Sequence, residues 1–89
     1  MIYILVSHKI ADFGKWKPLF DSDEKERKTY GVNVKKLFRA VDNPNDIHIL
    51  FEAPDETSAK ACIERPHLKQ LMLSAGVISE PVFKILNLS

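Results

Sequence analysis

The sequence predicts an α+β fold with one antiparallel sheet, and three observations support this prediction. The chain begins with an apolar, β-branched run, residues 2–8, which is typical of a strand and leads into a helical pattern. Two further apolar segments flank the turn-rich stretch DNPND, residues 42–46, which indicates a hairpin. A second helical pattern and a last apolar segment follow. The resulting order, β-α-β-β-α-β, is that of the ferredoxin-like split βαβ fold.

The first strand, Ile2 to His8, is apolar on both faces. Because side chains alternate along a strand, Ile4 and Val6 lie on one side, while Tyr3 and Leu5 lie on the other. One layer of helices covers only one face of a sheet, and an uncovered apolar face usually marks an interface. A chain of 89 residues also buries only about 60% of its unfolded surface, so a partner would add to a marginal core. We therefore expect a homodimer.

The first helix is predicted to start irregularly. Asp12 is suited to an N-cap, since its carboxylate accepts backbone N–H bonds of the following turn. Pro18 has no backbone N–H to donate, so we expect a tight first turn and a regular helix only from about Lys17 to residues 28–30. Gly31 follows as a C-terminal stop.

The hairpin is predicted to join a strand over Val32–Val41 to a strand over Ile47–Ala53. In the second of these, three alternating apolar residues form one face and a mixed set forms the other. Their pairing register stays open at this point, because a slip by one residue would move Arg39 to the opposite face of the sheet.

The second helix is predicted to begin after Pro54-Asp55 and to be split at Pro66, which ends one piece and starts a shorter one. Gly76 ends the second piece, and a final strand covers Glu80–Leu88. The whole chain, residues 1–89, is thus interpreted as a single ferredoxin-like domain.

Composition excludes several function classes. The formal net charge is +1 and no basic patch stands out, so no nucleic-acid partner is predicted. The apolar start is far too short to span a bilayer and lacks the features of a signal peptide, so we expect no membrane partner and a cytoplasmic location. The single cysteine excludes an internal disulfide, and the three histidines are dispersed. We predict neither a metal nor a cofactor.

A cavity between the helices and the sheet is the predicted site. Its candidate ligand-binding residues are His8, Trp16, Phe20, Arg27 and Met72, with Arg39 near its mouth. His8 is the best candidate for a catalytic group, because a histidine pKa lies near neutrality. Each candidate also has a structural interpretation. In that interpretation the aromatic residues and Met72 fill the core, His8 bonds only to backbone, and Arg27 pairs with Glu52 or Asp21.

The same residues, taken in order, resemble a known family. The pieces that carry the resemblance are His8, Asp12, Trp16, Phe20-Asp21, Arg27, Gly31-Val32, Arg39, Asn43-Pro44-Asn45, Ala59-Lys60-Ala61, Pro66, Leu68, Met72, Ala75-Gly76-Val77 and Pro81. In that order they resemble the small dimeric α/β-barrel proteins related to antibiotic-biosynthesis monooxygenase domains and to cyclase-like proteins. The resemblance implies homodimers whose two sheets face each other with the helices outside. It does not imply one activity.

Three functions follow as hypotheses. The leading one is a small homodimeric protein that binds a small, partly apolar organic molecule, with its reaction unassigned. The second is a cofactor-independent monooxygenase, or an isomerase or cyclase, acting on an aromatic or polyketide-like substrate. The third is a structural or interaction module that has a filled core and no ligand. A cavity beside His8 would separate the first two from the third.

Overall fold

A four-stranded sheet forms one layer of the molecule, and its helices lie across one face. The computed structural model describes residues 1–88. The elements in chain order are β1 (Ile2–Lys9), α1 (Phe13–Ser22), α2 (Glu24–Thr29), β2 (Asn33–Arg39), β3 (Asp46–Ala53), α3 (Glu56–Ile63), α4 (Leu68–Ser74) and β4 (Val82–Asn87).

The sheet is antiparallel, with the strand order β2-β3-β1-β4. This order confirms the predicted ferredoxin-like arrangement. β1 lies between β3 and β4, which agrees with its two apolar faces. Its register places Ile4 opposite Phe51 and Ile85, and Val6 opposite Ile49 and Phe83. Paired residues of an antiparallel sheet share a face, so these apolar side chains all meet the helices.

The core lies between this face of the sheet and the helices. Ile4, Val6 and His8 of β1 are buried there, together with Ile47 and Ile49 of β3. The helices add Trp16, Ala59 and Cys62 to the same cluster. The alternation along β1 and β3 therefore predicted correctly which side chains face the core.

The first helical segment differs from its prediction. The helix begins at Phe13 rather than near Lys17, and Asp12 caps it, with Oδ1 accepting a 2.8 Å hydrogen bond from the Gly14 amide. Pro18 lies inside α1. The amide of Asp23 then donates to the carbonyl of Phe20 at 3.2 Å, in a turn that separates α1 from α2. The segment is thus two helices, broken at Asp23, instead of one.

The second helical segment agrees with its prediction. It is split around Pro66 into α3 and α4. Asp55 caps α3, since its Oδ1 accepts a 2.7 Å hydrogen bond from the Ser58 amide. Gly31 and Gly76 end helical segments with positive φ angles of 74° and 85°, as expected of C-terminal glycines.

The strands are somewhat shorter or shifted relative to their predicted ranges. β2 ends at Arg39 instead of Val41 and contains an irregularity between Val34 and Lys36. β4 starts at Val82, after Pro81. The β2–β3 register places Arg39 opposite the buried Ile47, so Arg39 lies on the helix-covered face of an edge strand.

The opposite face of the sheet carries an apolar patch, here called the open sheet face. Its apolar members are Tyr3, Leu5, Phe38, Leu50, Val82 and Leu86. Phe38 is 48% exposed and Val82 is 53% exposed, while Tyr3 and Leu5 at the centre are half-buried by their neighbours. Glu52 lies on the same face, opposite Tyr3, and forms an ion pair of 3.7 Å with Lys35.

Candidate functional site

A cavity lies between the helices and the covered face of the sheet. It measures about 70 Å³, and its total free space including the open mouth is about 600 Å³. Strands β1, β3 and β4 form its floor, and all four helices contribute to its walls. The lining is largely apolar, with the side chains of His8, Asp23, Arg27 and Arg65 as its ionisable groups besides the Cys62 thiol. Few polar groups in an apolar cleft is the usual composition of a small-molecule site.

Five of the six residues predicted for the site line this cavity: His8, Trp16, Phe20, Arg27 and Met72. Arg39 lies outside the lining formed by residues 1–88. Its guanidinium carbon stacks 3.9 Å from the ring centroid of Phe13, and its Nε donates a 2.8 Å hydrogen bond to the carbonyl of Pro44. Arg39 thus lies on the helix-covered face of the sheet, as the β2–β3 register shows, but it does not form part of the cavity wall.

An aromatic row runs along the cavity. The ring of Trp16 meets that of His8 edge-on, with centroids 5.8 Å apart, and stacks on Phe20 at 4.7 Å. Phe20 in turn contacts Phe51, with centroids 6.2 Å apart. Trp16 and Phe20 are four residues apart on α1, so both project from the same side of the helix. This spacing is the sequence signal that predicted their position.

His8 is buried at the end of β1, with 5% of its surface exposed. Among the described residues its Nδ1 atom has no hydrogen-bond partner. Burial lowers the pKa of His8 below its ordinary value of 6.5, and the nearby His48 lowers it further, while Asp46 opposes the effect. At neutral pH the ring is therefore uncharged, with one nitrogen able to accept a proton.

Arg27 is the second buried polar residue, with 5% of its surface exposed. Its guanidinium carbon lies 4.2 Å from the ring centroid of Phe20, and its Nη1 donates to the Phe20 carbonyl at 3.0 Å and to Asp23 Oδ2 at 3.3 Å. Within residues 1–88 its Nε is buried and has no partner. The predicted ion-pair partners, Glu52 and Asp21, are wrong, because the carboxylate that Arg27 meets is Asp23.

Arg65 is a cavity residue that sequence reasoning missed. Its Nη1 and Nη2 atoms donate to Oδ1 and Oδ2 of Asp23, both at 3.0 Å, in a paired bond. Its Nε donates to the Cys62 carbonyl at 2.8 Å. Arg65 and Asp23 are 42 positions apart in the sequence, so no local pattern connects them.

Phe83 of β4 also lines the cavity and was missed. Here a signal was available, because Phe83 and Ile85 alternate with exposed Val82 and Lys84 along the strand. Such alternation places Phe83 on the side of the sheet that the helices cover.

Cys62 lines the cavity as a small buried residue. Burial raises the pKa of its thiol above the ordinary value. The thiol therefore stays protonated at neutral pH, which is the unreactive form of cysteine.

No cluster of three or more potential metal ligands is found among the residues that the structure describes. In the same part of the chain, no helix has the length and apolarity needed to cross a membrane.

No family model matches the chain, and no curated protein matches it in sequence. Solved structures match it along nearly its whole length. A crystal structure of an antibiotic biosynthesis monooxygenase is 14% identical, with a TM-score of 0.72, and the match covers 100% of this chain and 99% of the other. A conserved protein from Methanosarcina mazei is 21% identical, with a TM-score of 0.72, covering 96% and 89% of the two chains.

A third similar structure is that of SnoaB, a cofactor-independent oxygenase from Streptomyces nogalater, in a mutant form. It is 10% identical to this chain, with a TM-score of 0.74, and the match covers 98% and 91% of the two chains. At these identities the likeness is one of fold, since one fold hosts many functions. The chain therefore has the ferredoxin-like α+β fold of the antibiotic biosynthesis monooxygenase-like proteins, which confirms the resemblance seen in its sequence.

Proposed function

We propose that this protein binds a small, partly apolar organic molecule in the cavity between its helices and its sheet, and that it does so as a homodimer. The observation that carries the proposal is the pair of unpartnered, buried polar atoms in an otherwise apolar cavity, His8 Nδ1 and Arg27 Nε. Leaving a buried polar group without a hydrogen bond costs about 1–3 kcal/mol. A bound molecule with polar groups would offset this cost.

The size of the cavity is consistent with a small molecule. A cavity volume of about 70 Å³ has room for a few heavy atoms and is smaller than most ligand sites, so a larger molecule requires its walls to move apart. Met72, Leu68 and Leu71 form part of its wall and are only half-buried. An unbranched methionine adapts readily to the shape of a ligand, so this wall is suited to admit a molecule larger than the cavity volume.

The homodimer is supported by the open sheet face. Its central residues, Tyr3 and Leu5, are flanked by the exposed side chains of Phe38, Val82 and Leu86. An apolar patch on a sheet face has the character of an interface, and this face also carries the charged side chains of Glu52 and Lys84, which lie opposite Tyr3 and Leu5. Two copies paired through this face would place the helices and the two cavities on the outside.

An enzymatic function is the second candidate, and His8 is the observation that favours it. A neutral imidazole in an apolar cavity is suited to accept a proton from an acidic C–H or O–H group of a ligand. The positive charge of Arg27 would stabilise the enolate or phenolate that remains. The activity would be that of a cofactor-independent monooxygenase, or of an isomerase or cyclase, on an aromatic or polyketide-like substrate. SnoaB, named as a cofactor-independent oxygenase, has the same fold.

Native mass spectrometry of the protein purified without denaturation tests the binding function. We expect collisional activation of the protein ions to release a small organic molecule. Ala75, which is buried and lines the cavity, can be replaced to fill it: Ala75→Leu should abolish the bound species. Ala61→Leu, at an exposed position of α3, is the matched control and should retain it.

A second measurement covers the case of a ligand lost during purification. Trp16 is the only tryptophan of the chain and lines the cavity, so its fluorescence should respond to a panel of small apolar compounds. Absence of a bound molecule together with no response of Trp16 to any compound would favour the structural module. Once a ligand is known, His8→Ala separates the two functions, since an enzyme loses turnover while it keeps binding.

A further inference from the structure

The cavity carries one more positive charge than negative charge. Of the residues that line it, Asp23 supplies one carboxylate, whereas Arg27 and Arg65 supply two guanidinium groups. All three side chains are nearly buried, with 11%, 6% and 8% of their surfaces exposed, respectively. Asp23 balances one of the two cations, so one positive charge is left without a counter-charge in the described lining.

Asp23 is already engaged mainly by Arg65. Both of its oxygens accept hydrogen bonds from Arg65 at 3.0 Å, whereas Arg27 reaches only Oδ2, at 3.3 Å. A paired guanidinium–carboxylate bond is among the strongest polar contacts in proteins. The less fully neutralised cation is therefore Arg27, which shares Asp23 through one longer contact and whose Nε lacks a hydrogen-bond partner among residues 1–88.

Other groups of the cavity do not neutralise this charge. His8 is uncharged at neutral pH, because burial and His48 lower its pKa, and Cys62 stays protonated, because burial raises its pKa. Glu26 is near enough to act on Arg65, but it is exposed to solvent, where its charge is screened. A buried charge that is only partly neutralised is costly, and a ligand that supplies an anion lowers this cost.

We infer that the ligand is a monoanion with an apolar body, such as an aromatic or branched aliphatic carboxylate, and that its anionic group lies against Arg27. The apolar body would lie along the row formed by Trp16 and Phe20, towards His8. This inference rests on the proposed function, because it names the chemical class of the molecule that the cavity binds.

Matched acids and amides test the inference. The probes are isobutyrate with isobutyramide, benzoate with benzamide, and 2-naphthoate with 2-naphthamide, and Trp16 fluorescence reports binding. The members of each pair have nearly the same shape and differ in charge. We expect the acid of at least one pair to bind about tenfold more tightly than its amide, as is typical when a hydrogen bond to a charged group is added.

Variants assign the anion site to Arg27. Arg27→Met keeps much of the side-chain length against Phe20 and removes the charge, so the preference for the acid should disappear. Arg27→Lys keeps the charge and should retain most of the preference. Lys28→Met removes an exposed cation that does not line the cavity, and should leave the preference unchanged. The comparison of acids with amides uses only the wild-type protein, so it still tests the monoanion inference if Arg27→Met fails to fold.

Three other outcomes would contradict the monoanion inference, the assignment to Arg27 or the proposed binding function. Amides that bind as tightly as the acids would overturn the monoanion inference and leave the proposed binding function intact. A preference for acids that persists in Arg27→Met would overturn the assignment to Arg27. No binding of either member of any pair, with no bound molecule in native mass spectrometry, would overturn the inference and the proposed function together.

Discussion

His8 lies at the end of the central strand, where its ring is buried beside Trp16 with its Nδ1 unpartnered in the described chain. Its alternation in phase with Ile4 and Val6 predicted that it faces the helices. Its neutral state was not predictable, because it depends on burial and on His48, which β3 brings opposite Ser7 next to it. The chemistry of a residue is thus decided by neighbours that only the folded sheet assembles.

His8 predicts how stability depends on pH. Its pKa in the folded protein is lowered below the ordinary 6.5, so the unfolded chain binds the proton more readily. Stability from this residue is fully present above pH 6.5 and is lost as the pH falls through the folded-state pKa. We expect urea unfolding midpoints to fall on acidification in the wild-type protein, and to fall less in His8→Asn.

The control for this experiment is His48→Asn. It removes a neighbour whose charge opposes protonation of His8, so the acid sensitivity should remain, though at reduced strength. Identical pH profiles for the wild-type protein and His8→Asn would show that the burial of His8 has no energetic effect on folding.

The position of Arg65 in the cavity could not be predicted from local sequence patterns. Arg27 was placed correctly by its spacing from Phe20, but its carboxylate partner was not identified, although Asp23 lies four residues before it, at the spacing of a helical ion pair. Arg65, which is 42 positions from Asp23, has no such local signal. Spacing along one helix predicts a shared face. It contains no information on which side chain a distant helix brings to that face.

At the scale of elements, the two helical segments show why one was predicted well and the other was not. Pro66 and the Asp55 cap lie where local rules expect them, and the segment from α3 to α4 is split there. In the first segment, Pro18 suggested a late start. The helix instead forms from Phe13 and tolerates Pro18 in its interior, because its buried face holds Trp16 against the core. Packing outweighed the local preference of proline.

Gly31, at the junction of α2 and β2, supports a prediction at this scale. Its φ is +74°, and a Cβ atom there would lie 3.1 Å from Cγ and Cδ of Pro54. Gly31→Ala should therefore lower the free energy of unfolding by about 1–2 kcal/mol from the left-handed backbone alone, with an added cost from the contact. Denaturant unfolding measures this change.

Gly76→Ala is the matched control. Its φ is +85°, but the nearest atom to an added Cβ is the Ala11 Cβ at 3.9 Å, which is ordinary contact. Both variants pay the backbone cost, so the excess loss in Gly31→Ala measures the contact with Pro54. Equal losses in the two variants would mean that Pro54 moves aside freely and that this junction is looser than its geometry indicates.

At the scale of the whole molecule, the sequence predicted the sheet order and which of its faces the helices cover. The order of the elements along the chain predicts this sheet, and the alternation along β1 and β3 separates the mostly buried residues of the covered face from those of the open sheet face. The cavity itself was predicted only in outline. Its volume, its excess positive charge and the role of Arg65 depend on how four separate helices meet above the sheet.

The open sheet face predicts assembly of two copies. Leu5 lies near its centre, opposite Leu50 on one side and Lys84 on the other. If this face is the dimer interface, an aspartate at position 5 would be buried without a partner. We expect light scattering to give a dimer for the wild-type protein at micromolar concentration and a monomer, or an unfolded chain, for Leu5→Asp and for Tyr3→Asp.

Leu73→Asp is the matched control for the assembly experiment. Leu73 lies on α4, away from the open sheet face, and is 63% exposed, so a charge there remains solvated in the dimer. This variant should keep the mass and the unfolding midpoint of the wild-type protein, because it adds a carboxylate without burying it. A wild-type protein that scatters as a stable monomer at micromolar concentration would contradict the dimer, and the open sheet face would then be a solvent-exposed surface of a single chain.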